Sequence, residues 1–220
     1  TQGYKGIWSF LFGCIFPVIY NPENVFKGGN YDAQRILVDV GGYVQNLLES
    51  ENVKCIAIDG ANRKWIGTEK AGVFLISEDG TKEIYHFTTD NSPLLSNDVN
   101  SISIMPESGE VFFATTNGII SFRGTATNAK WSLDSVLVFP NPVMSDFNGY
   151  VAVSGLIESG WVSITDMYGT LIYRTRAQGG QAVWNCLDMN GDRPATGVYF
   201  IFVTNEDGSL TKTTKLMFYH

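Results

Sequence analysis

The chain has 220 residues, enough for one large or two ordinary domains with real cores. With 44% hydrophobic and 13% aromatic residues it is not a disordered protein, and the balance suits a β-rich globular one. A net charge of −7 argues against phosphate-driven nucleic-acid binding, and no cluster of lysines and arginines favours an anionic membrane.

The chain begins at Thr1 rather than methionine, so a segment is expected to have been removed upstream. After Lys5, the apolar stretch Gly6 to Cys14 ends in Leu11-Phe12-Gly13-Cys14, which resembles a lipoprotein processing box. It is short for a signal peptide, and a strand carrying Trp8 is the preferred reading. Strands are predicted at 7–12, 16–20 and 35–40, parted by a turn at Asn21-Pro22-Glu23-Asn24 and a loop at Lys27-Gly28-Gly29-Asn30. Gly41-Gly42 closes that unit. No long uninterrupted apolar run predicts a membrane-spanning helix.

Two stretches then repeat one another at a spacing of about 46 residues. The first has Val53 to Asp59, Trp65-Ile66-Gly67-Thr68 and Gly72 to Ser77; the second has Val99 to Ile104, Phe112-Phe113-Ala114-Thr115 and Gly118 to Phe122. Each holds three short apolar runs parted by turn residues, a period that fits a propeller blade. Ser77 to Thr81 predicts a hairpin turn, and Glu83 to Thr88 an outer strand. Asn91 to Asn97 carries the chain between the repeats, with Pro93 removing a backbone donor. Residues 1–124 therefore read as a partial β-propeller of about two and a half blades. Closed propellers need about four to eight blades. Either the remainder lies upstream or another chain completes it.

Residues 125–134 are rich in Thr, Ala and Asn and read as a linker. Over 135–220 seven short strands alternate with turns, at 136–139, 150–154, 161–166, 171–175, 182–186, 198–204 and 212–219. That is the pattern of an immunoglobulin-like β-sandwich. Val198 to Val203 is apolar on both faces and should be a central strand. The fold class is all-β.

The first half resembles the two-component-regulator propellers of Bacteroidetes. Asp59-Gly60 and Trp65-Ile66-Gly67-Thr68 match their Asp-x-x-Gly-x-x-Trp-Ile-Gly-Thr theme, with the glycine early. The last 85 or so residues resemble a type IX secretion C-terminal domain. The matches are Phe139-Pro140-Asn141-Pro142, Ile164 to Gly169, Gly180 with Trp184, Gly197-Val198-Tyr199-Phe200, and Lys215. Together the halves are similar to the PorZ-like family of the type IX attachment complex, as a C-terminal fragment of it. Asn62-Arg63-Lys64-Trp65, His86-Phe87-Thr88, Asn91 to Ser96 and Gly109 to Phe113 carry that likeness. The resemblance implies an exported, non-enzymatic protein of the outer membrane and cell surface. Its implied partners are a sortase-like peptidase and attachment-complex proteins, with anionic lipopolysaccharide as a further ligand.

Little here suits catalysis or a cofactor. There are two histidines, His86 and His220; His86, in an outer-strand pattern, reads as a solvated strand residue. Asp188-Met189-Asn190-Gly191-Asp192 superficially resembles a calcium loop but lacks its bidentate glutamate. Asn190-Gly191 reads instead as a type I′ hairpin turn. Asp59 reads as an acceptor for turn N–H groups. Cys14, Cys55 and Cys186 have no metal-like spacing and read as buried free thiols. No catalytic, cofactor or metal residue is assigned. Among the tryptophans, Trp65 and Trp184 occupy packing positions. Trp131 and Trp161 are freer and are the candidate ligand or partner contacts.

The leading functional reading is thus a secretion component that binds partner proteins and lipopolysaccharide during cargo maturation. The alternatives are a secreted cargo whose residues 135–220 are a removable sorting signal, and a glycan-binding ectodomain of a hybrid two-component sensor. The sensor reading expects a membrane span and kinase after the sandwich, where this sequence stops at Tyr219-His220. Self-association through open blade edges is also expected.

Overall fold

The computed structural model describes residues 48–220 and four strand segments before them, β1 (Val18–Ile19), β2 (Gln34–Arg35), β3 (Leu37–Val40) and β4 (Tyr43–Asn46). β1 pairs with β2 and β3 with β4, both antiparallel. The strand expected at 7–12, the processing-box reading, Trp8, Cys14 and Gly41-Gly42 lie outside the described residues. Among those residues the regular elements are all strands, so the all-β expectation holds. They form two compact units.

In the first unit β5 (Val53–Ile58), β6 (Lys64–Thr68), β7 (Val73–Ile76) and β8 (Glu83–Phe87) make one antiparallel sheet in sequence order. β9 (Val99–Ile104), β10 (Glu110–Thr115) and β11 (Gly118–Arg123) make a three-stranded antiparallel sheet, with β10 central. These are the two predicted repeats, with strand ends close to those read from the sequence. Alternation decides what each face buries. In the first sheet Trp65 lies opposite Leu75, and Ile66 opposite Phe74. Trp65, Val73 and Leu75 join Val99, Val111 and Phe113 of the second sheet in one core, while Ile66, Phe74 and Ile76 feed a separate cluster with Val53. The middle strands are therefore apolar on both faces.

The turn between β5 and β6 explains the displaced glycine. Asn62 stands where the family theme puts glycine and takes φ 57°, a left-handed conformation that asparagine tolerates. Gly60 is needed for another reason. A Cβ there would lie 2.1 Å from the Thr127 carbonyl oxygen.

The second unit comprises Arg123–His220 with the turn tips Asp59–Ala61 and Met105–Gly109. Its strands are β12 (Leu137–Phe139), β13 (Val151–Ser154), β14 (Trp161–Thr165), β15 (Leu171–Arg176), β16 (Gln181–Trp184), β17 (Gly197–Thr204) and β18 (Thr211–Phe218). They form two antiparallel sheets, ordered β12-β13-β16 and β15-β14-β17-β18. Val151, Val153 and Trp184 from one sheet and Val162, Ile164, Ile201, Val203 and Phe218 from the other meet in one buried core. β17 is central, as its composition required, with Tyr199, Ile201 and Val203 buried inward. Of its outward residues, Val198 is 43% and Phe202 40% exposed, and Phe200 is half-buried.

Two local expectations change. Asn190 has no left-handed φ, and β16 and β17 lie in different sheets, so Asp188–Asp192 is a crossover turn and not a type I′ hairpin. β16 stops at Trp184, short of the expected Cys186, because Cys186 takes φ 63°. Parts of the 125–134 stretch are tied down. Ala126, Thr127 and Leu133 are buried, Gly180 N donates to Thr127 O at 2.7 Å, and Lys130 N donates to Leu156 O at 2.7 Å.

Candidate functional site

Residues considered for chemistry turn out to have structural partners. Asp59 is buried and its Oδ1 accepts the Ala61 N–H at 3.0 Å, the turn role read from the sequence. His86 corrects its reading as a solvated strand residue. It is half-buried, stacks on Phe74 with centroids 3.9 Å apart, and its Nε2 lies 2.7 Å from the Ala71 carbonyl oxygen. A carbonyl can only accept, so Nε2 carries the proton and donates.

The Asp188 carboxylate is taken up by its own turn, accepting from Asn190 N at 2.8 Å and Asp192 N at 2.9 Å. The Asp192 bond first, then the Asn190 one, holds this carboxyl below its usual range. Cys55 and Cys186 are free thiols, and burial pushes both up. Among the described residues no group of three or more histidines, cysteines or carboxylates is placed to hold a metal ion.

The residues that carry the family likeness likewise build structure. Lys64 is buried and its ammonium donates to the Asn62 and Glu78 carbonyls at 2.7 and 2.6 Å, closing the end of its sheet. Asn91 donates to His86 O at 2.9 Å and accepts from Thr88 N at 2.8 Å, which fixes the entry to the connector. In Phe139-Pro140-Asn141-Pro142 both X-Pro bonds are cis. Asn141 donates to Lys215 O at 2.9 Å and accepts from Met217 N at 3.0 Å. Its amide thus replaces a neighbouring strand along the free edge of β18, and Val143 continues the pairing with Met217.

Trp65 and Trp184 are fully buried, as their positions implied. Trp131, in the 125–134 stretch, is 98% exposed. Trp161 lies elsewhere, half-buried on the outward face of the four-stranded sheet. Its ring is covered by two guanidiniums, Arg174 at 4.1 Å and Arg176 at 4.6 Å from the centroid. Pairing sets this up: Arg176 lies opposite Trp161, and Arg174 opposite Ser163. Trp161 is therefore a bed for two cations and not an open stacking face. Arg176 also donates to Glu206 at 2.6 Å, with both side chains largely exposed.

Farther across the same face, Phe200 and Phe202 have centroids 6.4 Å apart, and the Lys215 ammonium lies 5.8 Å from the Phe200 ring. Sequence reasoning found Trp161 but not Arg174, Arg176 or Lys215. The i, i+2 spacing of the arginines places both on one face of a strand, but the strand they sit beside is set by pairing register.

A concave feature lies within the first unit. Phe87, Pro93, Leu94, Phe113, Ile120 and Phe122 line an almost wholly apolar cleft of about 270 Å³. It adjoins β11, which is an edge strand of its sheet.

Residues 137–217 match the family described as Secretion system C-terminal sorting domain. Over 99% of its length the chain is similar to PorZ of Porphyromonas gingivalis, described as an essential bacterial surface component of the type-IX secretion system, at 29% identity and a TM-score of 0.64. The chain spans 29% of that protein's length. Extracellular domains of a one-component and a hybrid two-component system from B. thetaiotaomicron align at 10% and 12% identity, with TM-scores of 0.33 and 0.32. They cover 92% and 100% of this chain, which spans 28% and 49% of theirs. Likenesses that low carry no argument. No curated protein matches the chain.

Proposed function

We propose that this chain, a PorZ-like protein associated with type IX secretion, works at the cell surface as a retained, non-enzymatic part of the secretion machinery. One observation carries the reading. A sorting domain alone fits a cargo protein equally well, but the likeness to PorZ runs through the repeat unit as well and covers 99% of the chain. On this reading the first unit is part of a β-propeller and the second an immunoglobulin-like sandwich. The stacked repeat sheets and the shared core of two facing sheets support those assignments.

The partners in this proposal are a sortase-like peptidase and outer-membrane attachment proteins, with anionic lipopolysaccharide as ligand. β11 presents an edge at which a second copy or further blades would pair. The backbone bonds of Thr127 and Lys130 tie down the front of the 125–134 stretch, which favours retention, since a peptidase needs an extended, accessible backbone. Cargo is the competing reading, which the sorting domain fits equally well. Deleting residues 135–220 in the native host separates the two. The machinery reading expects other secreted proteins to accumulate unprocessed; normal maturation of those proteins would refute it.

A further inference from the structure

On the outward face of the β15-β14-β17-β18 sheet the charge is one-sided. Arg174 and Arg176 stand at one side and Lys215 at the other, three strand spacings or about 14 Å across the sheet and two residues along it from the Arg174 row. Between them lie the rings of Phe200 and Phe202 and the hydroxyl of Ser163, which pairing places opposite Phe202. The paired outward positions of these four strands hold no carboxylate, in a chain whose net charge is −7. Among the described residues no ion pair engages Arg174. Arg176 is held by Glu206, an exposed loop residue beyond the end of β17.

We propose that this face binds an anionic polysaccharide, with Arg174 and Arg176 taking a phosphate or carboxylate on the sugar and Glu206 competing for the same guanidinium. The proposal rests on the lipopolysaccharide part of the function proposed above and assigns it a surface. Three features favour a sugar polymer over an acidic protein. Guanidiniums laid on an indole are pre-ordered and present planar donor forks that match phosphate and carboxylate. The part-exposed phenyl rings offer flat apolar surface for the C–H faces of sugars. The Ser163 hydroxyl suits a neutral sugar group between the charges. Glu206 gives the site a sign that a simple basic patch lacks. An arriving anion must displace a carboxylate from Arg176, so removing that carboxylate strengthens binding.

The test uses the full 220-residue chain and three probes: polysaccharide released from purified smooth lipopolysaccharide by mild acid, vesicles carrying the lipid A left behind, and polyglutamate. The expected result is binding to the polysaccharide, weaker by about tenfold or more for Arg174→Gln with Arg176→Gln. Glu206→Gln should bind several-fold more tightly, and that gain should shrink as salt rises. Unchanged melting temperatures would establish that the exposed substitutions leave the fold intact. If the parent chain binds no polysaccharide, the lipopolysaccharide reading fails and this inference with it. If the parent binds but the variants match it, only this surface is refuted. Binding confined to lipid A vesicles, equal binding to polyglutamate, or weaker binding by Glu206→Gln would also overturn the proposal.

Discussion

The two units are both stacks of antiparallel sheets, yet they bury their apolar residues in different ways. The second closes one core between two facing sheets, with Trp184 inside it and the edge of β18 blocked by Asn141. The first divides its buried residues between the two faces of one sheet and leaves β11 as an edge. A self-contained core and a unit built by repetition age differently under mutation. The first should lose its whole structure when its centre is removed; the second should depend on what covers its open faces.

The two buried tryptophans give the largest contrast. Trp184 packs against Phe218 at 5.6 Å, and its Nε1 donates to Leu187 O at 2.7 Å. Trp184→Ala should cost about 3–5 kcal/mol, read as lost thermal stability of the sandwich. Trp184→Phe should still cost about 1–3 kcal/mol, because the Leu187 carbonyl loses its donor. Trp65 is equally buried but its Nε1 has no acceptor, and Phe87, Phe113 and Phe122 surround it. Trp65→Phe opens a similar cavity but strands no acceptor and removes an unsatisfied buried N–H, so it should cost less than Trp184→Phe. Equal losses for the two Phe variants would break the comparison.

A second contrast concerns glycine. Gly60→Ala should destabilise the chain by about 1–3 kcal/mol in chemical denaturation, because the new Cβ would meet the Thr127 backbone at 2.1 Å. Gly191→Ala meets nothing nearby, and its penalty comes only from φ 91°. A Gly60→Ala variant as stable as the parent would mean that the turn does not approach Thr127.

The smallest effect is a pH dependence within the second unit. The folded Asp188 carboxyl is held below its usual range, so its contribution is full above about pH 4. It is lost as pH falls through the lowered folded value. Amide exchange at Asn190 and Asp192, corrected for the intrinsic rate, should accelerate on acidification below about pH 4 and lose that step in Asp188→Asn. An identical acid step in the variant would contradict it.

These contrasts also mark how far the sequence could be read. Turn residues and alternation place nearly every described strand, as with Ser77–Gly80 between β7 and β8, where Gly80 N donates to Ser77 O at 3.0 Å. Position within the motifs marked Trp65 and Trp184 as packing residues, and position in the 125–134 stretch marked Trp131 as exposed. What escaped was set by partners distant in the chain. The arginines over Trp161 come from strand register, the carbonyl that holds His86 lies across a hairpin, and Cys186 ends β16 through a backbone angle that no composition signals. Asn190-Gly191 misled because the dipeptide marks a turn but not which strands it joins.

The retained, machinery role is tested most directly by the C-terminus of the protein as it stands on the cell surface. Intact-mass and peptide mass spectrometry of the surface form should find residues 135–220 still attached. A surface form ending near residue 134, with no peptide beyond it, would make the sandwich a discarded signal and the chain a cargo protein.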